Sequence, residues 1–403
     1  LWFYPLSAIF SVLGPHWLAM RIFFLVVAAL TSLLGYSLVR RVTGLGWLAL
    51  AAASLMVLMP GAIFRNYMGF LGILASWVLL RGYVLDAGSS RRQIAWMGVA
   101  GAGMAVCFLL RIEPGLLFAV VWAGLTVLYP LSVRGEFLAR LRTIFLGTLV
   151  ALTAFAAVHA PFVVDAYRRG FGPQFIGQYT ATFQLLRWEF SKEFGEGQPS
   201  ARADEAASMG VMRVSNSADN GASEAELGSR EGRRQLPPPS RIFRDGGIYF
   251  HAAGMWFPVL LAPLLVLSGL VMLGIALVRT DARLKELSLV VLTTTGCALA
   301  LFPQYFFFRP DTTHLNEFMV PFWAATACSA WAIFTATRGR RLLHAWAWLI
   351  VVLSVLQAVV SFNALFGRGA SGSISGGLGM DTRFRALNGV WVRVEGKELA
   401  DWE

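Results

Sequence analysis

Long, nearly charge-free apolar runs follow one another along most of this chain, separated by short polar breaks. Inside a bilayer such a run satisfies its backbone N–H and C=O groups only as a helix or within a closed barrel. Barrel strands alternate apolar and polar residues, and these runs do not. The pattern therefore predicts helices near 15–39, 45–64, 68–85, 95–110, 114–130, 143–164, 252–278, 286–304, 314–337 and 342–364. The expected fold class is all-α, a polytopic transmembrane helical bundle of about ten spans. Residues 1–14 are aromatic-rich and short for a span, reading as an interfacial helix or the tail of a truncated one.

The loops orient the bundle. One alternate set carries Arg40 and Arg41; Arg91 and Arg92; Arg134, Arg140 and Arg142; Arg279, Arg283 and Lys285; and Arg338, Arg340 and Arg341. The other short loops carry only Arg65, Arg111 and Arg309. Lys and Arg mark the cytoplasmic side, so the basic set is read as cytoplasmic. A multi-pass protein of the inner (plasma) membrane is expected, with residues 165–250 as a long extracytoplasmic loop and 366–403 as a short extracytoplasmic tail. The expected organisation is thus helices over 1–164, that loop, helices over 251–365, and the tail.

Composition agrees: 57% of the 403 residues are apolar and 14% charged, against about 25% charged in soluble domains. The net charge of +11 is carried by the short loops, which argues against nucleic acid as a partner. Cys107, Cys297 and Cys328 lie in apolar runs and read as small buried hydrophobes. The centre of the long loop, 195–240, is rich in Gly, Ser and charge and reads as flexible. The segment 171–190 is aromatic and amphipathic, suited to the membrane surface. In the tail a Gly/Ser linker precedes NGVWVRVEG (388–396), whose alternation predicts a strand or hairpin. There is no internal repeat.

The remaining ionisable residues gather at the opposite end from the basic loops. These are Arg65 with Asn66 and Tyr67; Arg111 and Glu113; Asp165, Tyr167, Arg168 and Arg169; and Arg309, Asp311, His314 and Glu317. In FFFRPDTTHLNEF (306–318) Pro310 disfavours helix at Arg309, and Asp311 or Thr312 can cap the helix that follows. His314 and Glu317, three apart, then share a face. The set can face one pocket, or it can be capping plus interfacial snorkelling; as a carboxylate–imidazole–carboxylate group it can also bind a divalent cation. In LLRIEPGLL (109–117) Arg111 and Glu113 stand between two very apolar spans, where ionisable groups are costly and tend to be functional; pairing with each other or with a neighbouring loop is the other reading. Arg65 is either an interfacial anchor or a ligand contact, and VHAPFVVDAYRRG (158–170), with His159, Asp165 and Tyr167, is either a helix exit or part of the site. No P-loop, HExxH or paired CxxC occurs.

Arginines grouped with carboxylates suit a lipid-linked phosphate. Arg holds phosphate oxygens bidentately, a cation at the leaving phosphate stabilises the charge developing there, and a carboxylate or His takes the acceptor's proton. Arg309, Arg111, Arg65, Glu317 and Tyr167 are the expected binding residues, and Asp311, His314 and Glu113 the expected catalytic ones.

The run LWFYPLSAIFSVLGPHWLAMRIFFLVVAALTSLLGYSLVRRVTG (1–44), the pattern R-x-E-x-G at Arg111, Glu113 and Gly115, and R-x-D-x-x-H-L at Arg309, Asp311, His314 and Leu315 resemble bacterial polytopic GT-C-type glycosyltransferases of the broad family-39-like group. The resemblance covers most of 1–130 and 300–340. It implies a GT-C-like bundle that transfers a sugar, with inversion, from a polyprenyl-phosphate donor on the extracytoplasmic side. It also implies a catalytic carboxylate in a first extracytoplasmic loop upstream of Leu1, and hence an N-terminally truncated chain whose partners are membrane lipid and a lipid-linked sugar. A flippase for a lipid-linked glycan, or an O-antigen ligase or polymerase, is the alternative. A transporter should carry charge near the midplane and broken helices, and the end-on charge favours the enzyme.

Overall fold

In a computed structural model the described residues are 9–12, 14, 17–58, 66–86, 89–131, 137–177, 179, 243–244, 247–248, 250–302, 312–337, 341–366, 383–387 and 390–394. They form an all-α bundle. The helices are α1 Trp17–Thr43, α2 Gly46–Leu58, α3 Asn66–Leu80, α4 Ser90–Leu110, α5 Ile112–Leu131, α6 Phe137–Arg168, α7 Phe250–Arg279, α8 Ala282–Leu299, α9 Thr312–Ala336 and α10 Arg341–Phe366. Each coincides with one of the ten predicted runs. Seven are long and apolar enough to cross a membrane; the helical stretches Gly46–Val57 and His344–Val359 are apolar but shorter.

Helix ends differ from the apolar edges because polar contacts, not hydropathy, set them. α8 starts at Ala282 rather than near 286 because Asp281 caps it, its Oδ1 accepting from the Leu284 N–H at 3.0 Å. α6 runs on to Arg168, where Gly170 takes φ +79°. There the Phe171 N–H bonds to the Ala166 carbonyl and the Gly170 N–H to the Tyr167 carbonyl, a Schellman end that turns the chain back. Past Leu80 the chain continues as a π-helical turn, Arg81–Leu85.

Side-chain polarity is arranged for lipid. Leu25, Leu33, Leu50, Val127, Leu152 and Val355 are exposed, whereas Ser76, Thr293, Thr294, Thr295, Ser329 and Gln357 are buried. Thr295 and Ser329 meet at 3.3 Å between α8 and α9. Hydrocarbon outside and small polar groups between helices is the expected sorting in a bilayer. The apolar span of α9 is 78% buried and that of α6 only 22%, so α9 is central and α6 peripheral. One core joins α1–α3 to α7–α10; a second packs α3–α6 against α8. Glycines set the closest approaches: a Cβ on Gly69 would lie 2.8 Å from Val320, and one on Gly72 3.0 Å from Pro321, which fixes the start of α3 beside α9.

The three cysteines are buried and unpaired. In the tail, β4 Val390–Val394 lies in the segment expected to form a strand or hairpin and pairs antiparallel with β3 Arg383–Leu387 just before it; a smaller hairpin, β1 Phe243–Arg244 with β2 Gly247–Ile248, precedes α7. The 195–240 stretch lies outside the described residues.

Candidate functional site

The best-defined charged group at the end of the bundle away from the basic loops is the α4–α5 corner. α4 stops at Leu110 because Arg111 turns extended (φ −163°, ψ 125°), its N–H still bonded to the Cys107 carbonyl. Pro114 then sits in the first turn of α5, where no intrahelical N–H partner is required. Gly115 permits the tight return, since a Cβ there would lie 2.8 Å from the Phe108 ring and 2.9 Å from its backbone N. The Arg111 Nε stands 3.5 Å from Glu113 Oε2, with side chains 28% and 24% exposed. Each charge also suits its helix end, a cation at the C-terminus of α4 and a carboxylate in the first turn of α5. The sequence-level pairing of these two residues is thus what the structure contains.

Below this corner, between α3, α4 and α5, lies an apolar cavity of about 210 Å³ lined by Leu71, Val99, Val106, Cys107, Phe118 and neighbours. Val99 and Val106 line the cavity and are exposed on the outside of the bundle, so the cavity opens sideways. At 1.5 Å per residue its α4 wall, Val99 to Cys107, runs from about 6 to about 18 Å beneath Arg111.

Beside the corner is an aromatic group that the sequence did not reveal. Phe108, one turn before Arg111, meets Phe155 of α6 edge-on with centroids 5.5 Å apart. Phe155 stacks on His159 at 5.3 Å, and Phe175 lies 6.0 Å from the same imidazole. The Tyr179 hydroxyl and His159 Nε2 are 2.8 Å apart, and the buried His159 Nδ1 has no partner among the described residues. Burial pushes the Tyr179 phenol above its ordinary pKa. The Schellman end at Gly170 makes this possible by folding 172–177 back onto α6. His159 falls in the 158–170 segment, read either as a helix exit or as part of the site, but nothing local in the sequence pairs it with a tyrosine twenty positions on.

The other expected residues divide as follows. Tyr167 is exposed, as are Asp165 and Arg169, which pair at 3.0 Å on successive turns; this is a solvated helix end. His314 and Glu317 lie in the first turns of α9, and their three-residue spacing sets them on one face of it; their side chains are outside the described residues. So are Arg309, Asp311 and Arg65. Among the described residues no three His, Cys, Asp or Glu gather as a metal site.

Buried charge is not confined to this end, which corrects the one-sided expectation. At the basic end the Asp86 carboxylate, 8% exposed, accepts from Arg81 at 2.8 Å and from the Trp96 indole at 2.9 Å. The Arg81 guanidinium lies over Trp77 and Trp96, 5.1 and 5.3 Å from their centroids. The π-turn is what lets Asp86 reach back, its N–H bonding to the Arg81 carbonyl. Burial alone would raise the Asp86 pKa; the hydrogen bond and charge of Arg81, with Trp96 and Arg92, outweigh it and hold the carboxyl below its ordinary range. Hydropathy hides this group because Arg81 and Asp86 look like an ordinary loop edge.

No protein-family profile matches the chain, and no curated protein matches it. Among solved structures, the apo crystal structure of the Archaeoglobus fulgidus oligosaccharyltransferase is similar at 15% identity and a TM-score of 0.37, covering 85% of this chain and 44% of that one. The chain therefore spans less than half the length of that protein.

Proposed function

We propose that this protein is a membrane glycosyltransferase of the GT-C type, a hexosyl- or pentosyltransferase using a polyprenyl-phosphate sugar at the extracytoplasmic face of the plasma membrane. The observation that carries the reading is the Arg111–Glu113 pair standing directly above a cavity that is apolar and open to lipid. A donor of this class has that polarity: a long hydrocarbon tail, then a phosphate, then a sugar. With the tail beside α4, the phosphate meets Arg111, and the sugar faces water.

The chemistry follows from the groups. An acceptor hydroxyl on a lipid, glycan or protein attacks the anomeric carbon. The C–O bond to the phosphate breaks, its electron pair leaving on the polyprenyl phosphate. Arg111, with Arg309 and Arg65, stabilises that charge. The hydroxyl proton passes to a carboxylate or imidazole, the candidates being Glu113, Asp311 and His314. Glu317 and Tyr167 serve the sugar. Arg111 and Glu113 hold each other in the free protein; donor phosphate draws Arg111 away and leaves Glu113 free to accept a proton.

The test is release of polyprenyl phosphate from a polyprenyl-phosphate hexose or pentose by protein in proteoliposomes. Turnover by the wild type that drops at least a hundredfold in Arg111→Ala and in Asp311→Ala supports the reading; turnover equal in all three removes these residues from the site.

A further inference from the structure

A second cavity, at the basic end and on the other side of the bundle, has a different character. It holds about 300 Å³ between α7, α8, α9 and α10. Its mouth carries Asp281 and Arg283 from the start of α8, with Thr337 from the end of α9. Deeper in, the wall is Leu267, Val271 and Ile275 of α7. Leu267 and Val271 are exposed as well as cavity-lining, so the cavity opens sideways toward hydrocarbon rather than only toward water. Measured from the α7 end at Arg279, Leu267 lies about 18 Å down the helix.

The floor and mouth are polar in a defined way. The Trp346 indole N–H donates to the Ser268 hydroxyl at 2.9 Å, and that hydroxyl donates to the Leu264 carbonyl at 2.6 Å. Trp346 is thereby fixed as a flat wall of the cavity. At the mouth both signs of charge occur. Asp281 spends Oδ1 on the Leu284 N–H, and a carboxylate has further acceptor sites beyond that one bond. Arg283 makes no ion pair among the described residues. Lys285, 8% exposed and likewise without an ion pair among them, adds positive charge beside the same turn.

We infer that this cavity is a binding site for a membrane aminophospholipid, with its phosphate on Arg283, its ammonium on Asp281 and an acyl chain along Leu267, Val271 and Ile275. The lateral opening selects an occupant that arrives from the bilayer. The two opposite charges at the mouth match a zwitterionic head that carries both a phosphate and a primary amine. A choline head has no N–H to give Asp281, and a glycerol head has no cation at all. Basic pockets between helices bind anionic lipid head groups; here Asp281 at the same mouth adds the acceptor that an amine requires. The site is independent of the proposed transferase chemistry, which uses the other end of the bundle.

The experiment is native mass spectrometry of the full chain in detergent, titrated separately with phosphatidylethanolamine, phosphatidylcholine and phosphatidylglycerol of one acyl composition. The wild type should retain one phosphatidylethanolamine at least tenfold more tightly than either other lipid. Arg283→Gln should lose retention. Asp281→Asn keeps a competent helix cap and should bring phosphatidylethanolamine down to the level of phosphatidylcholine. Leu267→Trp, which fills the wall without touching the charges, should also abolish retention. Equal retention of all three lipids, preference for phosphatidylglycerol, or a phosphatidylethanolamine preference that survives both Asp281→Asn and Leu267→Trp overturns the assignment.

Discussion

Replacing Gly101 by Ala should loosen α6 from the bundle, and the size of the effect follows from one distance. A Cβ at Gly101 would lie 2.0 Å from the Ala151 carbonyl oxygen, 2.6 Å from its carbon and 2.7 Å from its Cα. These are backbone atoms, so no rotamer change relieves them. Real Cβ contacts do not fall below 3.0 Å, so α4 and α6 must part by about 1 Å at this level, a displacement of the kind that makes overpacking unfavourable. Overpacking costs about 1–3 kcal/mol, and losing a Cα–H···O contact costs about 0.5–1 kcal/mol more. Better helix propensity returns about 1 kcal/mol, which leaves roughly 0.5–3 kcal/mol of net destabilisation. Gly124 on α5 is the control, because a Cβ there meets nothing within 4 Å; Gly124→Ala should be neutral or stabilising by up to about 1 kcal/mol. The assay is the thermal transition of detergent-solubilised protein, together with hydrogen exchange over α6. The reasoning fails if Gly101→Ala melts with Gly124→Ala at or above the wild type.

Three further outcomes follow from the geometry. Asp86 has a depressed folded-state pKa, so its stabilising contribution is present above the unfolded value of about 3.9 and is lost as pH falls through the folded value; the melting temperature of Asp86→Asn should therefore be lower than wild type at pH 7, with the gap narrowing as pH drops below about 4, and a gap constant with pH contradicts this. Tyr179→Phe removes the bond to His159 and should cost about 0.5–1.5 kcal/mol locally, read as roughly 2- to 13-fold faster amide exchange over residues 172–177, with unchanged exchange as the contrary result. Thr280 sits at φ +57° between α7 and α8, where a side chain costs about 1 kcal/mol or more; Thr280→Gly should raise the melting temperature, and a fall would mean that the threonine side chain supports the turn.

How much of this was legible beforehand varies with the range of the interaction. The helices were readable because hydrocarbon imposes one solution on each apolar run, so α5 and α9 appear where their runs do. Ends set by a single hydrogen bond, such as that of Asp281 on α8, could be missed by several residues. The Arg111–Glu113 pair was visible because two charges beside Pro114 and Gly115 interrupt otherwise unbroken apolar sequence. The His159–Tyr179 contact was not, because it depends on the reversal at Gly170 and on Phe155, Phe108 and Phe175, aromatics that look like any others in a chain with 30 phenylalanines. The Arg81–Asp86–Trp96 group was hidden for a similar reason: a π-turn brings Asp86 back toward Arg81, and a helical count of 3.6 residues does not anticipate it.

The proposed donor site places a lipid-linked phosphate at Arg111 with its tail in the cavity beside α4. It is tested most directly by photolabelling with a polyprenyl-phosphate sugar that carries a diazirine in the isoprenoid nearest the phosphate. The account predicts labelling on α4 between Val99 and Cys107 or at Phe118 of α5, competed by unlabelled donor and strongly reduced in Arg111→Ala. Labelling confined to other helices, or labelling of α4 indifferent to both competitor and Arg111→Ala, would contradict it.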